Sequence, residues 1–126
     1  MVALGLLALA PSVAGPAAAG GVSIPTTGLT QVQVTFHSSS KPAGDVFLRA
    51  ASSLNEFAQN VRDDHLAVQK PPTSPSCSDP IRYTVEISYR TGPKVFLSAD
   101  ACDNAVSGNL TGNTKAFVHF LSTLVS

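Results

Sequence analysis

From Ile81 to Arg90, apolar and polar residues alternate almost without a break. Ile81, Tyr83, Val85, Ile87 and Tyr89 fall on one side; Arg82, Thr84, Glu86, Ser88 and Arg90 fall on the other. A period of two is that of a β-strand with one buried face. Thr91–Gly92–Pro93 interrupts the run, and Val95, Leu97 and Ala99 then alternate with Lys94, Phe96 and Ser98. Pro93 has no amide hydrogen for a ladder bond and belongs at the turn or at the first strand position, so the stretch predicts a strand–turn–strand hairpin. A third alternating run, with Val32, Val34 and Phe36 set against Gln31, Gln33, Thr35 and His37, predicts an earlier strand over residues 30–37.

A different period follows that strand. Residues 38–45 are polar and carry Pro42 and Gly44, which predicts a loop. Phe47, Ala51, Leu54, Ala58 and Val61 then recur at spacings of four and three, and Leu48, Ala50 and Phe57 widen the stripe. This predicts an amphipathic helix over 46–62 with Asp45 as its cap. Ser52 and Ser53 lower its intrinsic propensity, so packing has to hold it. Residues 63–80 lack a clear period and are proline-rich, which predicts a long connection with Leu66 and Val68 tucked against the core. Beyond the hairpin comes another polar connection, with short strand character at Ala105–Val106. Ala116, Phe117, Phe120, Leu121, Leu124 and Val125 then predict a C-terminal helix over 115–124, with Thr114 as cap. The strand-favouring Val118, Phe120 and Thr123 keep a strand open as the alternative. Strand, helix, hairpin, helix is an α+β order. Its simplest layout is a small antiparallel sheet with two helices packed on one face.

Composition adds a compartment. Of 126 residues only 13% are charged, and the formal net charge is zero. The first residues account for part of this, since residues 1–21 have no ionisable side chain. A short apolar run followed by small residues is the layout of a signal peptide. Two small-x-small sites fit, ending at Ala14 and Ala19; Pro16 crowds the first, so residues 1–19 are the expected leader. The usual Lys or Arg before the apolar run is missing. The run is too short to span a membrane, and no cysteine lies near either cut, so no lipidated N-terminus is expected. This reading divides the chain into a leader (1–19), an extended lead-in (20–29) and a single domain (30–125), with a secreted or cell-envelope destination. The neutral balance offers no electrostatic argument for nucleic acid or an anionic membrane; no nucleic-acid partner and no integral membrane segment are expected of the mature chain.

Export changes the meaning of Cys77 and Cys102, the only cysteines. They flank the hairpin, and a tight turn returns both to the same end of the sheet. A pair so placed in an oxidising compartment is expected to form a structural disulfide. A redox pair would be closer, as CxxC, and a zinc site would need two more ligands, which His37, His65 and His119 do not supply at any ligand spacing. No metal or other cofactor is expected. Asp63–Asp64–His65 could bind a cation or offer a base, yet it also suits a helix end entering a loop. Asp100 and Asp103 lack EF-hand spacing and fit turns. No GxSxG elbow, P-loop or dinucleotide fingerprint occurs. Tyr83 and Tyr89 lie on the inward hairpin face, so they read as core. The face bearing Arg82, Glu86 and Arg90 reads as solvated or as a contact surface. Asn109–Leu110–Thr111 is a glycosylation sequon that would matter only in a eukaryotic secretory route.

Ser76–Cys77, the Tyr83–Tyr89 strand, Gly92, Val95–Leu97, Cys102, the Gly108–Asn113 loop and Phe117–Leu124 follow one another in an order that resembles small exported actinobacterial proteins of unknown function. The resemblance spans about 50 residues of the chain. It implies an exported domain and supplies no catalytic residues. The expected function is therefore that of a secreted, non-enzymatic domain that binds a protein partner. Inhibition of an extracellular protease or other hydrolase is the alternative, with Thr73, Ser74, Pro75 and Ser76 as the contact loop ending at Cys77. A small hydrolase is a further alternative, for which no polar constellation is evident.

Overall fold

The alternating runs assemble around Val34 and Val85, which face each other across the two central strands of a sheet. The computed structural model describes residues 21–69, 72–103 and 105–125; the expected leader over 1–19 lies outside them. Strands β1 (Val22–Ser23), β2 (Leu29–Ser38) and β3 (Lys41–Leu48) precede helix α1 (Ala51–Asp63). Strands β4 (Ala67–Val68), β5 (Ile81–Tyr89), β6 (Val95–Ala101), β7 (Val106–Gly108) and β8 (Leu110–Thr111) follow, and helix α2 (Thr114–Val125) ends the chain. The main sheet has five antiparallel strands in the order β3-β2-β5-β6-β7, and β1, β4 and β8 form a second, three-stranded sheet.

Both helices cover the same face of the main sheet, as the sequence pattern predicts. Val32, Val34, Leu48, Tyr83, Val85, Ile87, Leu97 and Ala99 are buried there, against Leu54, Phe57, Ala58 and Val61 of α1 and Phe117 and Leu121 of α2. The rings of Phe57 and Phe117 meet edge-on with centroids 5.8 Å apart, which joins the helices over the sheet. Burial of each such ring contributes roughly 2–3 kcal/mol. The opposite face of the sheet is open. Gln33 pairs with Phe47 on one side and Glu86 on the other, and Glu86 pairs with Phe96. Phe47 and Phe96 remain 45% and 57% exposed.

The structure corrects the region before α1. Residues 41–48 are strand β3, not a loop running into a helix. Val46 and Leu48 extend the inward pattern of β2, in register with Val34 and Val32, while Phe47 turns to the open face. Asp45 therefore caps nothing; its carboxylate accepts a 2.8 Å bond from Thr35 Oγ1 on the neighbouring strand. Helix α1 starts at Ala51, after an extended Ala50 (φ −69°, ψ 143°) that offers no side-chain cap. Pro42 is tolerated because β3 is an edge strand, where a missing amide breaks no interior ladder.

The connections hold more structure than the sequence indicates. Helix α1 ends in a Schellman turn: Leu66 N donates to Val61 O (3.1 Å) and His65 N to Arg62 O (3.1 Å), with His65 left-handed at φ 52°. Leu66 is buried as expected, and Val68, half-buried against the core, lies in β4. Gly112 passes so close to this turn that a Cβ there would lie 2.5 Å from the His65 carbonyl oxygen. Helix α2 is capped by Asn113 and not by Thr114, since Asn113 Oδ1 accepts from Ala116 N at 3.4 Å. Among the described residues no helix is long and apolar enough to cross a membrane.

Candidate functional site: the disulfide end of the sheet

The β5–β6 register pairs Ile81 with Ala101. Cys102 follows β6 directly, and Cys77 lies four residues ahead of β5. The hairpin thus delivers both residues to one end of the sheet, where they form a disulfide with a Cα–Cα separation of 5.9 Å. Cys77 N also donates to Cys102 Sγ at 3.2 Å, and Cys102 N to Ala105 O at 2.8 Å. A cross-link spanning 25 positions stabilises the fold by about 3.5 kcal/mol on the chain-entropy account.

A second anchor sits four residues earlier. Thr73 exchanges backbone bonds with Gly108 of β7: Thr73 N donates at 2.8 Å and Thr73 O accepts at 3.1 Å. Gly108 can take this position because it has no side chain. Its φ is 123°, and a Cβ would lie 2.1 Å from the Ser98 carbonyl oxygen. Beyond Cys77, Asp79 accepts a 2.6 Å bond from Ser39 in the β2–β3 turn. Residues 73–79 are therefore tied to three separate elements. Between the first two ties, Ser74 and Ser76 are exposed and Pro75 is half-buried. Beside this segment is an open depression of about 580 Å³, lined by Ser76, Ser78, Asp79, Ile81, Asp103 and the disulfide.

The remaining sequence candidates are dispersed. Asp63, Asp64 and His65 form the end of α1. Asp64 is buried, its Oδ2 has no hydrogen-bond partner among the described residues, and burial followed by the charge of Asp63 raises its pKa, with His65 opposing. Asp100 is committed to Arg82 at 2.6 Å on the open face of the sheet. The hydrogen bond and then the charge of Asp100 raise the Arg82 pKa. His37 is on β2, His65 follows α1 and His119 is on the exposed side of α2. Among the described residues no three His, Cys, Asp or Glu side chains could together hold a metal ion. Tyr83 is core, as read from the alternation, and Tyr89 donates a 2.7 Å bond to Pro25 O; burial raises its pKa to about 12.

The sequon has a structural use. Asn109 Oδ1 accepts from Ser98 N at 2.7 Å and Nδ2 donates to Phe96 O at 2.9 Å, so the side-chain amide continues the ladder of β6 past the end of β7. The sequence singles out the cysteines, the 73–76 segment and Asp103, the last as a turn residue, but carries no signal for Ser78 and Asp79 beside them. The Thr73–Gly108 pair carries no local signal, because its members lie 35 positions apart. Comparisons with protein-family models, curated proteins and solved structures gave no match for this chain.

Proposed function

We propose that this chain is an exported, non-enzymatic protein-binding domain that presents Ser74, Pro75 and Ser76 as its contact loop. The observation that supports this reading is the double anchoring of that loop, by the Thr73–Gly108 pair and the Cys77–Cys102 disulfide. Ordering a flexible segment on binding costs roughly 1–2 kcal/mol of backbone entropy per residue. Here the segment is held before any partner arrives, and the gain falls on affinity. Export is supported by the composition of residues 1–19 and by a cysteine pair placed to be oxidised. The resemblance to exported actinobacterial proteins points the same way.

The same anchoring favours one specific version, inhibition of an extracellular protease or other hydrolase. A loop fixed at both ends can enter a cleft without losing its shape. The test is crosslinking and co-purification from culture medium, run alongside a panel of secreted hydrolases, with the native chain and a Ser74→Asp/Ser76→Asp variant. A partner captured by the native chain and lost by the variant supports the contact loop. Equal capture by both overturns it. Full hydrolase activity at excess native chain ends the inhibitor version. N-terminal sequencing of the secreted chain is expected to begin at Gly20; recovery solely from the cytosol, with residues 1–19 retained, would end the export reading.

A further inference from the structure

On the open face of the main sheet the strand register lays Phe47, Gln33, Glu86 and Phe96 side by side in one row across β3, β2, β5 and β6. Strands stand about 4.8 Å apart, so the two rings close the row roughly 14 Å from each other. A single exposed apolar side chain is ordinary. Two aromatic rings in register on one side of a sheet mark a contact surface. The next row, Asp45, Thr35, Thr84 and Ser98, has short side chains that leave the rings accessible.

The charges on this face suit one partner, a second copy of the chain. Arg82 is held by Asp100, and Lys94 by Glu86 at 2.8 Å, so the middle of the row carries no uncompensated charge. Among the described residues Arg49 and Asp45 make no ion pair. Arg49 Nε donates to Gln31 at 2.8 Å with its guanidinium 4.7 Å from the Phe47 ring centroid, and Asp45 accepts from Thr35. They stand two residues to either side of Phe47, so β3 presents negative, aromatic and positive groups in turn. That order is its own complement when reversed. A two-fold axis along the Phe47–Phe96 row sets each ring on its counterpart and each Arg49 opposite Asp45 of the second copy. Zero formal charge adds no long-range repulsion between copies. Four strands and three rows about 6.8 Å apart make a face of roughly 20 by 20 Å. Two such faces bury roughly 800 Å² before surface relief is counted, near the lower limit of a specific interface. We propose that this chain forms a weak, reversible two-fold dimer by packing the open sheet faces of two copies together at Phe47 and Phe96.

The test is sedimentation equilibrium of the purified, oxidised chain, with amide spectra recorded on dilution from about 1 mM. A dimer is expected at a Kd of about 0.5 mM or tighter, with dilution shifts centred on Gln33, Phe47, Glu86 and Phe96. Phe47→Ser and Phe96→Ser, both at exposed positions where the fold does not need the ring, should each weaken it about tenfold or more. Asp45→Lys and Arg49→Glu should each weaken it about fivefold, because like charges then face each other twice. The double variant Asp45→Lys/Arg49→Glu restores the complementary order and should return the Kd to within about threefold of the native value. Weaker association or none, or a double variant no better than the single ones, would overturn the proposal. A dimer weakened by Phe47→Ser but untouched by Phe96→Ser would mean pairing along the β3 edge and would overturn it too, as would a dimer indifferent to both.

Discussion

Asp64 offers the sharpest physical test of the fold, because it stands where electrostatics would not place it. It is buried at the C-terminal end of α1, next to Asp63, and its Oδ2 has no partner among the described residues. The negative end of the helix dipole disfavours a carboxylate there, and an unsatisfied buried acceptor costs roughly 1–3 kcal/mol. Burial, then Asp63, raises the Asp64 pKa above 3.8. Between the unfolded and the raised folded value, the native chain binds the extra proton. Stability from this group is thus present at low pH and falls as pH rises through the folded pKa. That slope is opposite to the one usual for carboxylates. Asp64→Asn removes the charge while keeping the shape, so it is expected to stabilise the chain by about 1 kcal/mol at neutral pH, a rise in Tm of roughly 4–8 °C for a domain of this size. The assay is thermal and urea unfolding of both chains from pH 3 to pH 8, plotting the difference between them so that other titrating groups cancel. The advantage of the variant should shrink towards zero below about pH 4, where Asp64 is protonated in both states. A variant no more stable than the native chain at neutral pH, or an advantage of constant size across the series, would refute the reasoning.

Other positions in the fold are expected to respond as follows. His65 occupies the left-handed position of a Schellman turn at φ 52°, so His65→Gly should raise stability by about 0.5–1 kcal/mol in urea unfolding. Cys77→Ser/Cys102→Ser should lower stability by about 3 kcal/mol, and the native chain should take up alkylating reagent, by intact mass, only after reduction. Asn109→Ala removes two bonds to β6 and should cost roughly 1–3 kcal/mol, with hydrogen exchange accelerated at Ser98 N. Gly108→Ala would drive a Cβ into the Ser98 carbonyl at a positive φ, and should cost more than about 3 kcal/mol; a native-like unfolding midpoint would contradict it.

Local pattern was enough wherever an element follows one period along its own length. The β5–β6 hairpin, β2 and α2 were legible because alternation or helical spacing is uninterrupted there, and the cysteine pair was legible because the hairpin turn alone makes its ends neighbours. The start of α1 was not legible. Val46, Phe47 and Leu48 satisfy a helical stripe and a strand alternation equally well, and the choice was made by β2, whose Val32 and Val34 take Leu48 and Val46 as cross-strand neighbours. A cross-strand neighbour has no signature in the segment that receives it. The same holds for the ties that shape the disulfide end of the sheet. Thr73 meets Gly108 and Asp79 meets Ser39, partners about 35 to 40 positions apart in the chain. Periodicity reports which side of an element is buried; which elements then meet depends on contacts between distant residues, and those exist once the sheet has closed.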